Sequence, residues 1–267
     1  MTEKEPCQFC NDFGYYMPDV PVSDPRFGTA IPCSCSSINR VSKFLKHSGL
    51  VEKEYNYSLD HEPTATDYPK AVREAQRIID EQTGMMIAYG NYGTGKTGLF
   101  QSVVATLCRS GYPAHYTTAA DLLATVQDTF KGGYTEKKVD HYKTMRVLVI
   151  DEIESFQMTD WSMPALRRII DYRYRERTRI ATIFGTNVLP VEREGTWYFI
   201  EDDYPALGYL SNRCLDAFRA DMRGKTQRGT KPDEPRPVRT VRTVMPQATR
   251  ISDSNRDYRS EYGEIEY

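Results

Sequence analysis

Residues 85–100, MMIAYGNYGTGKTGLF, decide the fold. A short apolar run at 85–89 stops at a glycine-rich turn, and Leu99, Val103, Val104 and Leu107 then recur at helical spacing. The turn itself, GNYGTGKT at 90–97, fits G-x-x-x-x-G-K-[ST] in the strand-then-helix context that this phosphate-binding motif requires. A surface glycine loop is the competing reading, and the flanking strand and helix weigh against it. Gly93 and Gly95 let the backbone come close to a triphosphate, so that successive N–H groups at the helix start face phosphate oxygens. Lys96 brings a point charge to the β- and γ-phosphates, and the Thr97 hydroxyl is available to Mg²⁺, which prefers oxygen ligands. Gly90, Asn91, Tyr92, Thr94 and Gly98 complete the expected contact set for ATP.

Working outward, short apolar runs alternate with helical periods, the signature of a parallel sheet covered by helices on both faces. Strands are expected at 85–89, 112–117, 146–150, 180–186 and 217–222, with an amphipathic helix at 70–82. Leu122, Leu123, Val126 and Phe130 form a second helical stripe and Leu166, Ile169 and Ile170 a third, all read as core. Two more strand ends carry chemistry. RVLVIDEIES, residues 146–155, ends an apolar run in Asp151 and Glu152, at the sheet edge where ligands bind in α/β folds. There Asp151 is expected to face Mg²⁺ through its water shell and Glu152 to polarise the attacking water. RIATIFGTNV, residues 179–188, sets Asn187 just past another strand, placed to align the lytic water or to sense the γ-phosphate.

Four of the six cysteines lie in the first 35 residues. Cys7 and Cys10 form C-x-x-C, Cys33 and Cys35 form C-x-C, and 22 residues separate the pairs. Two close thiol pairs suit tetrahedral Zn²⁺, with unliganded or redox cysteines as the alternative. A four-ligand site leaves no position for substrate, so no catalysis is expected there. Cys108 and Cys214 fall in helical patterns and are read as buried, inert thiols. Residues 1–45 read as a loop-rich zinc-binding module that docks a partner protein, with Phe13, Tyr15 and Tyr16 as its aromatics. Residues 46–68 read as a connector, 69–228 as the main α/β domain, and 229–267 as a disordered tail.

At 267 residues the chain has room for one full domain and a small appendage. Its net charge of −2 argues against whole-surface attraction to nucleic acid, but between 223 and 259 ten Lys or Arg stand against four Asp or Glu. Lys131, Tyr134, Lys137 and Lys138 offer a basic, aromatic-bearing loop of the kind that tracks single-stranded DNA, as well as an ordinary solvated loop. The N-terminus lacks the apolar segment of a signal peptide and no run of about 18 apolar residues occurs, so a cytoplasmic location without membrane contact is expected.

Taken together, CQFCNDFGYY with PCSC, the strand-end series, IIDYRYRERTRIATIFGTN and LGYLSNRCLDAF resemble the DnaC/IstB-like branch of AAA+ proteins over residues 1–228. The resemblance implies an AAA+ three-layer αβα sandwich with a five-stranded parallel sheet, a small zinc module and a lid that is missing or vestigial. It implies an arginine finger at Arg213, in YLSNRCLD, that reaches nucleotide bound by a neighbouring subunit in an ATP-dependent oligomer. It also implies a sensor arginine at Arg228, although Gln227 stands where the family often carries an aromatic. The function implied is ATP-hydrolysing loading of a hexameric replicative helicase onto single-stranded DNA, with an IstB-like transposition ATPase acting on duplex DNA as the alternative. A nucleotide-switched scaffold and a small-molecule P-loop kinase are disfavoured, the first by intact Lys96, Asp151 and Glu152, the second by the lack of an acceptor pocket in the sequence.

Overall fold

Alternation along the core strands sorts side chains onto two faces of a sheet. Met85, Ile87, Leu148 and Ile150 pack into one hydrophobic cluster, while Met86, Ala88, Val147 and Val149 pack into the other. The computed structural model describes residues 7–8, 10–11, 13–59, 67–132, 135–156, 162–193, 196–199, 204–214 and 216–224. By contacts the chain divides into residues 1–228 and 229–267, and every described residue belongs to the first unit. Arg228 and the tail read as disordered lie outside the described residues, as does Tyr134.

In chain order the elements are β1 (Tyr15–Tyr16), β2 (Ile31–Pro32), α1 (Ser34–Lys46), α2 (Pro69–Glu81), β3 (Gly84–Tyr89), α3 (Lys96–Arg109), β4 (Ala114–Thr118), α4 (Ala119–Gly132), α5 (Thr135–Thr144), β5 (Val147–Asp151), α6 (Ser162–Arg175), β6 (Ala181–Thr186), β7 (Val191–Arg193), β8 (Thr196–Tyr198), α7 (Pro205–Arg213) and β9 (Phe218–Asp221). Five strands form the parallel sheet in the order β4-β5-β6-β3-β9. Each expected strand is present, its ends shifted by at most two residues. Helices α4, α5, α6 and α7 cover one face and α2 and α3 the other, which is the expected three-layer αβα sandwich. The register pairs Tyr89 with Thr186 and Thr118 with Asp151, so the loops after β3, β5 and β6 leave the sheet at one edge. No helix among the described residues is long and apolar enough to cross a membrane.

The N-terminal segment differs from its reading as loop without helical period. Ser34–Lys46 is a helix that buries none of its residues fully; Cys35 and Ser36 in its first turn and Val41, Phe44 and Leu45 near its end are half-buried. Nor does the described part of the connector hang free. The Tyr116 N–H donates to the Ser48 carbonyl at 2.7 Å, and His115 Nδ1 donates to the His47 carbonyl at 2.8 Å, covering the exposed edge of β4. Leu50 and Leu59 are buried in the α2/α3 cluster, and Arg109 donates to the carbonyls of Tyr55 and Tyr57. Those apolar and aromatic residues in the connector are the physical reason it docks.

One core position escaped the apolar pattern. Arg173 continues the stripe of Leu166, Ile169 and Ile170 on α6, and it is fully buried. Its guanidinium donates to the carbonyls of Tyr142, Lys143 and Met145 at the end of α5, to the Ala181 carbonyl at 2.5 Å and to the Thr182 hydroxyl at 2.8 Å. It therefore satisfies carbonyls that a helix end leaves without partners. Each buried acceptor stripped of its donor costs about 1–3 kcal/mol, so Arg173→Met is expected to destabilise the protein by at least about 3 kcal/mol. An unchanged urea midpoint would contradict this account.

Candidate nucleotide site

The sequence between β3 and α3 has to reverse direction and start a helix within a few residues. Gly95 makes this possible: it caps α3 at φ 89°, in the left-handed region where a Cβ is strained. With α3 starting at Lys96, the N–H groups of its first turn face the loop, where a helix N-terminus favours anions. A cavity of about 290 Å³ opens there, lined by residues 92–97 together with Asp151, Glu152 and Asn187. The structure thus gathers the expected loop residues, the acidic pair and Asn187 at one site. Gly90 and Asn91 contribute from just behind it.

Lys96 is buried, and its ammonium donates to the carbonyls of Gly90 at 2.8 Å and Asn91 at 2.9 Å. Those contacts hold the charge at the cavity floor. Asp151 is only 2% exposed. Its Oδ2 accepts from the Thr97 hydroxyl at 2.8 Å and from the Tyr116 hydroxyl at 3.1 Å, and its Oδ1 accepts from the Glu152 N–H at 2.9 Å. Burial pushes the Asp151 carboxyl above the ordinary carboxylate range, against the opposing pull of those hydrogen bonds and of Lys96. Burial is also the main cause that raises the Tyr116 hydroxyl, with the Asp151 charge adding to it.

The donor set fits a hard divalent cation. The Thr97 proton is committed to Asp151, so the lone pairs of Thr97 Oγ1 are free to face the cavity, and a buried carboxylate with residual electrostatic cost stands beside them. Glu152 is exposed at the cavity wall and has φ 52°, a left-handed conformation uncommon for a residue with a side chain. Asn187 directs both its backbone N–H, at 3.0 Å, and its Nδ2, at 2.8 Å, to Glu154 Oε1.

Three residues that sequence reading passed over shape the site. Tyr116 lies in β4 and Glu154 in the turn after β5, and only the fold brings them to Asp151 and Asn187. Gly185 is the third. A Cβ there would lie 2.2 Å from Asp151 Oδ1 and 2.4 Å from the Phe100 ring, so only glycine lets β6 pass the carboxylate. Its signal was in the sequence, as a glycine inside the apolar strand IATIFGT.

Arg213 is placed elsewhere. It ends α7, outside the cavity lining, where its Nε donates to Asp171 at 2.6 Å and its guanidinium lies 4.8 Å from the Tyr174 ring centre. Tyr209 donates to the same Asp171 oxygen at 2.7 Å. Lys137 and Lys138 are exposed at the start of α5. Cys108 and Cys214 are fully buried, and burial pushes their thiols up to about 11 and about 12, which suppresses thiolate chemistry.

A second cluster sits at the N-terminus. The sulfurs of Cys7, Cys10, Cys33 and Cys35 all lie within 4.8 Å of one another, with Cys7 to Cys33 at 3.7 Å and Cys10 to Cys35 at 3.2 Å. Zn–S bonds of about 2.3 Å in a tetrahedron would put sulfurs roughly 3.8 Å apart, whereas a disulfide needs about 2.05 Å. The four thiols therefore fit a metal and not a covalent pair. Cys33 caps α1 and Cys35 lies in its first turn, and the hydrogen bond with the Cys10 thiol holds the Cys35 thiol above the ordinary cysteine range while no metal is bound. The tight turn of Cys7–Cys10 is closed by the Asn11 N–H on the Cys7 carbonyl at 2.8 Å.

Comparison with known proteins agrees with this geometry. The chain is 24% identical over 104 residues to the replicative helicase loader DnaI of Bacillus subtilis, covering 39% of this chain and 33% of that protein. It is 27% identical over 120 residues to an insertion sequence IS232 putative ATP-binding protein of Bacillus thuringiensis, covering 42% and 47% respectively. The chain thus spans a third to a half of the length of these curated relatives. Among solved structures, the crystal structure of the DnaC helicase loader superposes with a TM-score of 0.51 at 21% identity, covering 66% of this chain and 100% of that one, which shows a shared fold. Residues 33–203, more than half of the chain, match the family of IstB-like ATP binding proteins, and the chain belongs to that family.

Proposed function

We propose that this protein is an ATP-hydrolysing loader of a replicative DNA helicase that assembles on single-stranded DNA. The observation that carries the hydrolytic part is the convergence of Lys96, Thr97, Asp151, Glu152 and Asn187 on one cavity. Lys96 and the N–H groups starting α3 hold the phosphates. Thr97 and Asp151 would hold Mg²⁺, which would supply positive charge to offset that of the phosphates. Glu152, exposed at the cavity wall, polarises the attacking water, and Asn187 aligns that water or senses the γ-phosphate. Arg213, outside its own cavity, is offered to the nucleotide of a neighbouring subunit in the oligomer.

The loader part is supported by the attachment of a four-thiol module to an ATP-binding core and by the named relatives. In this reading Cys7, Cys10, Cys33 and Cys35 hold Zn²⁺ and the module docks the helicase. Lys131, Lys137, Lys138 and the basic residues after 223 are the candidates for DNA. The insertion-sequence relative favours a second reading, a transposition ATPase acting on duplex DNA with a transposase. Affinity capture with ATP separates them: a hexameric helicase in the eluate supports the loader, and a transposase supports the alternative.

Truncation at residue 45 is a poor test of the docking module, because it removes α1, whose Phe44 and Leu45 pack against the core. Cys7→Ser with Cys10→Ser leaves that helix in place. It is expected to bring zinc content from about one ion per chain to near zero, to abolish helicase capture, and to leave nucleotide binding intact; undiminished capture would refute the docking role.

Glu152→Gln is expected to keep ATP binding and to lower turnover by at least about 100-fold. Asp151 gives a test of opposite sign. Its pKa is raised in the folded protein, so stability falls as pH rises from the ordinary carboxylate value through the raised one, and the ionised group is a net cost at neutral pH. Asp151→Asn is accordingly expected to raise the melting temperature of the nucleotide-free protein at pH 7 while removing the further stabilisation that ATP gains from Mg²⁺. A lower melting temperature would show that the hydrogen bonds of Asp151 outweigh its burial.

A further inference from the structure

Glu154 lies in the 3-10 turn Ile153–Ser155, directly after the acidic pair, and it is not part of the cavity lining. Its Oε1 accepts from both the Asn187 backbone N–H at 3.0 Å and Asn187 Nδ2 at 2.8 Å, while its Oε2 is buried without a hydrogen-bond partner among the described residues. The carboxylate spends its one engaged oxygen entirely on Asn187. A carboxylate only accepts, so the side-chain atom against it must be the amide nitrogen, which fixes which way the Asn187 carboxamide is turned. Asn187 also lines the cavity, where Glu152 stands. With one Nδ2 hydrogen drawn onto an anion behind the cavity wall, Oδ1 is the acceptor that the carboxamide has left to offer a water. A donor role toward the γ-phosphate would ask the same nitrogen to serve two anions at close range, which their mutual repulsion opposes.

We propose that Glu154 is a positioning residue that holds Asn187 by its Nδ2, so that Asn187 presents Oδ1 as an acceptor to the lytic water beside Glu152 and does not donate to the γ-phosphate. This rests on the hydrolytic reading above and decides between the two roles open to Asn187. Its energetic basis is charge assistance, since a hydrogen bond to an ionised acceptor is roughly twice as strong as a neutral one. The consequence is a split between turnover and binding: loosening Asn187 misdirects the water and leaves the phosphate contacts of Lys96 and the loop as they were.

The test is steady-state ATP hydrolysis by the full chain, with the affinity for a fluorescently labelled ATP measured in parallel. Glu154→Ala and Asn187→Ala are each expected to lower kcat about 10- to 100-fold, in line with the loss of a supporting hydrogen bond, while labelled-ATP affinity moves by less than about 3-fold. The double variant is expected to be no slower than Asn187→Ala alone, because the two act as one unit. Asn187→Asp sets a second carboxylate against Glu154 and is expected to be as slow. Adding Glu154→Gln supplies a donor to that carboxylate and is expected to return at least about 10-fold, a result that stays informative even if Glu154→Ala does not fold. Wild-type kcat in Glu154→Ala, losses that multiply in the double variant, absence of rescue, or a loss of ATP affinity instead of kcat in Asn187→Ala would each overturn the proposal. Equal turnover by the wild type and Glu152→Gln would overturn hydrolysis itself and this role with it; a slow Glu152→Gln beside a fast Glu154→Ala overturns this role alone.

Discussion

Burying one carboxylate constrains four parts of this fold at once. Asp151 ends β5 inside the sheet, and its two oxygens are met by a hydroxyl from the first turn of α3, a hydroxyl from β4 and the N–H of Glu152. The neighbouring strand β6 must carry glycine at 185 to pass it. An ionised carboxylate without partners at that depth would cost many kcal/mol, and three donors offset part of that cost. That the carboxyl still sits above its ordinary range shows that the offset is incomplete. The site keeps a deficit of positive charge, which is the physical meaning of its fitness for a divalent cation.

The same strand β4 ties the N-terminal segment to the cavity. Tyr116 donates its backbone N–H to Ser48, in the segment that follows α1, and its hydroxyl to Asp151. At the other end of α1, Cys33 and Cys35 hold half of the thiol cluster. A helix thus joins the thiols to the edge strand, and a single tyrosine joins that edge strand to the buried acid. The segment between thiols and core is a structural strut over its described length, with Leu50 and Leu59 as its apolar anchors.

What the sequence made legible follows from which signals are local. The strands flanking GNYGTGKT, RVLVIDE and RIATIFGTN could be read because a strand buried on both faces is a continuous apolar run, and the residues at their ends could be read because a parallel sheet presents all its C-terminal edges to one side. Helix α1 was missed although its polar and apolar residues do segregate at helical spacing: its apolar positions are few and at most half-buried, and they follow a stretch of prolines and cysteines that reads as loop. Arg173 was hidden for the opposite reason: it occupies an apolar stripe, and nothing local says that the carbonyls of Tyr142, Lys143 and Met145 will end beneath it. Tyr116 and Glu154 depend on contacts 35 and 33 residues away in sequence, to Asp151 and Asn187 respectively. Such pairs are set by the packing of the whole domain, and no pattern within either segment announces them.

Several groups around the cavity are held in place by the protein before any phosphate arrives. Lys96 is drawn to the floor by two loop carbonyls, the Thr97 proton is taken by Asp151, and Asn187 is tied behind the wall by Glu154. Glu152 is kept in a left-handed conformation that costs on the order of 1 kcal/mol for a residue with a Cβ. Strain of that kind persists only where the surroundings dictate it, and here they do: the Glu152 N–H is bound to Asp151 and its carbonyl to the Ser155 N–H at 2.8 Å. The backbone on both sides of Glu152 is therefore fixed by hydrogen bonds that have nothing to do with its side chain. That fixes where the Glu152 side chain leaves the chain, and with Lys96, Thr97 and Asn187 already held beside it the cavity wall is largely preset, which makes the electrostatic effect of its groups larger than that of groups that must first reorganise.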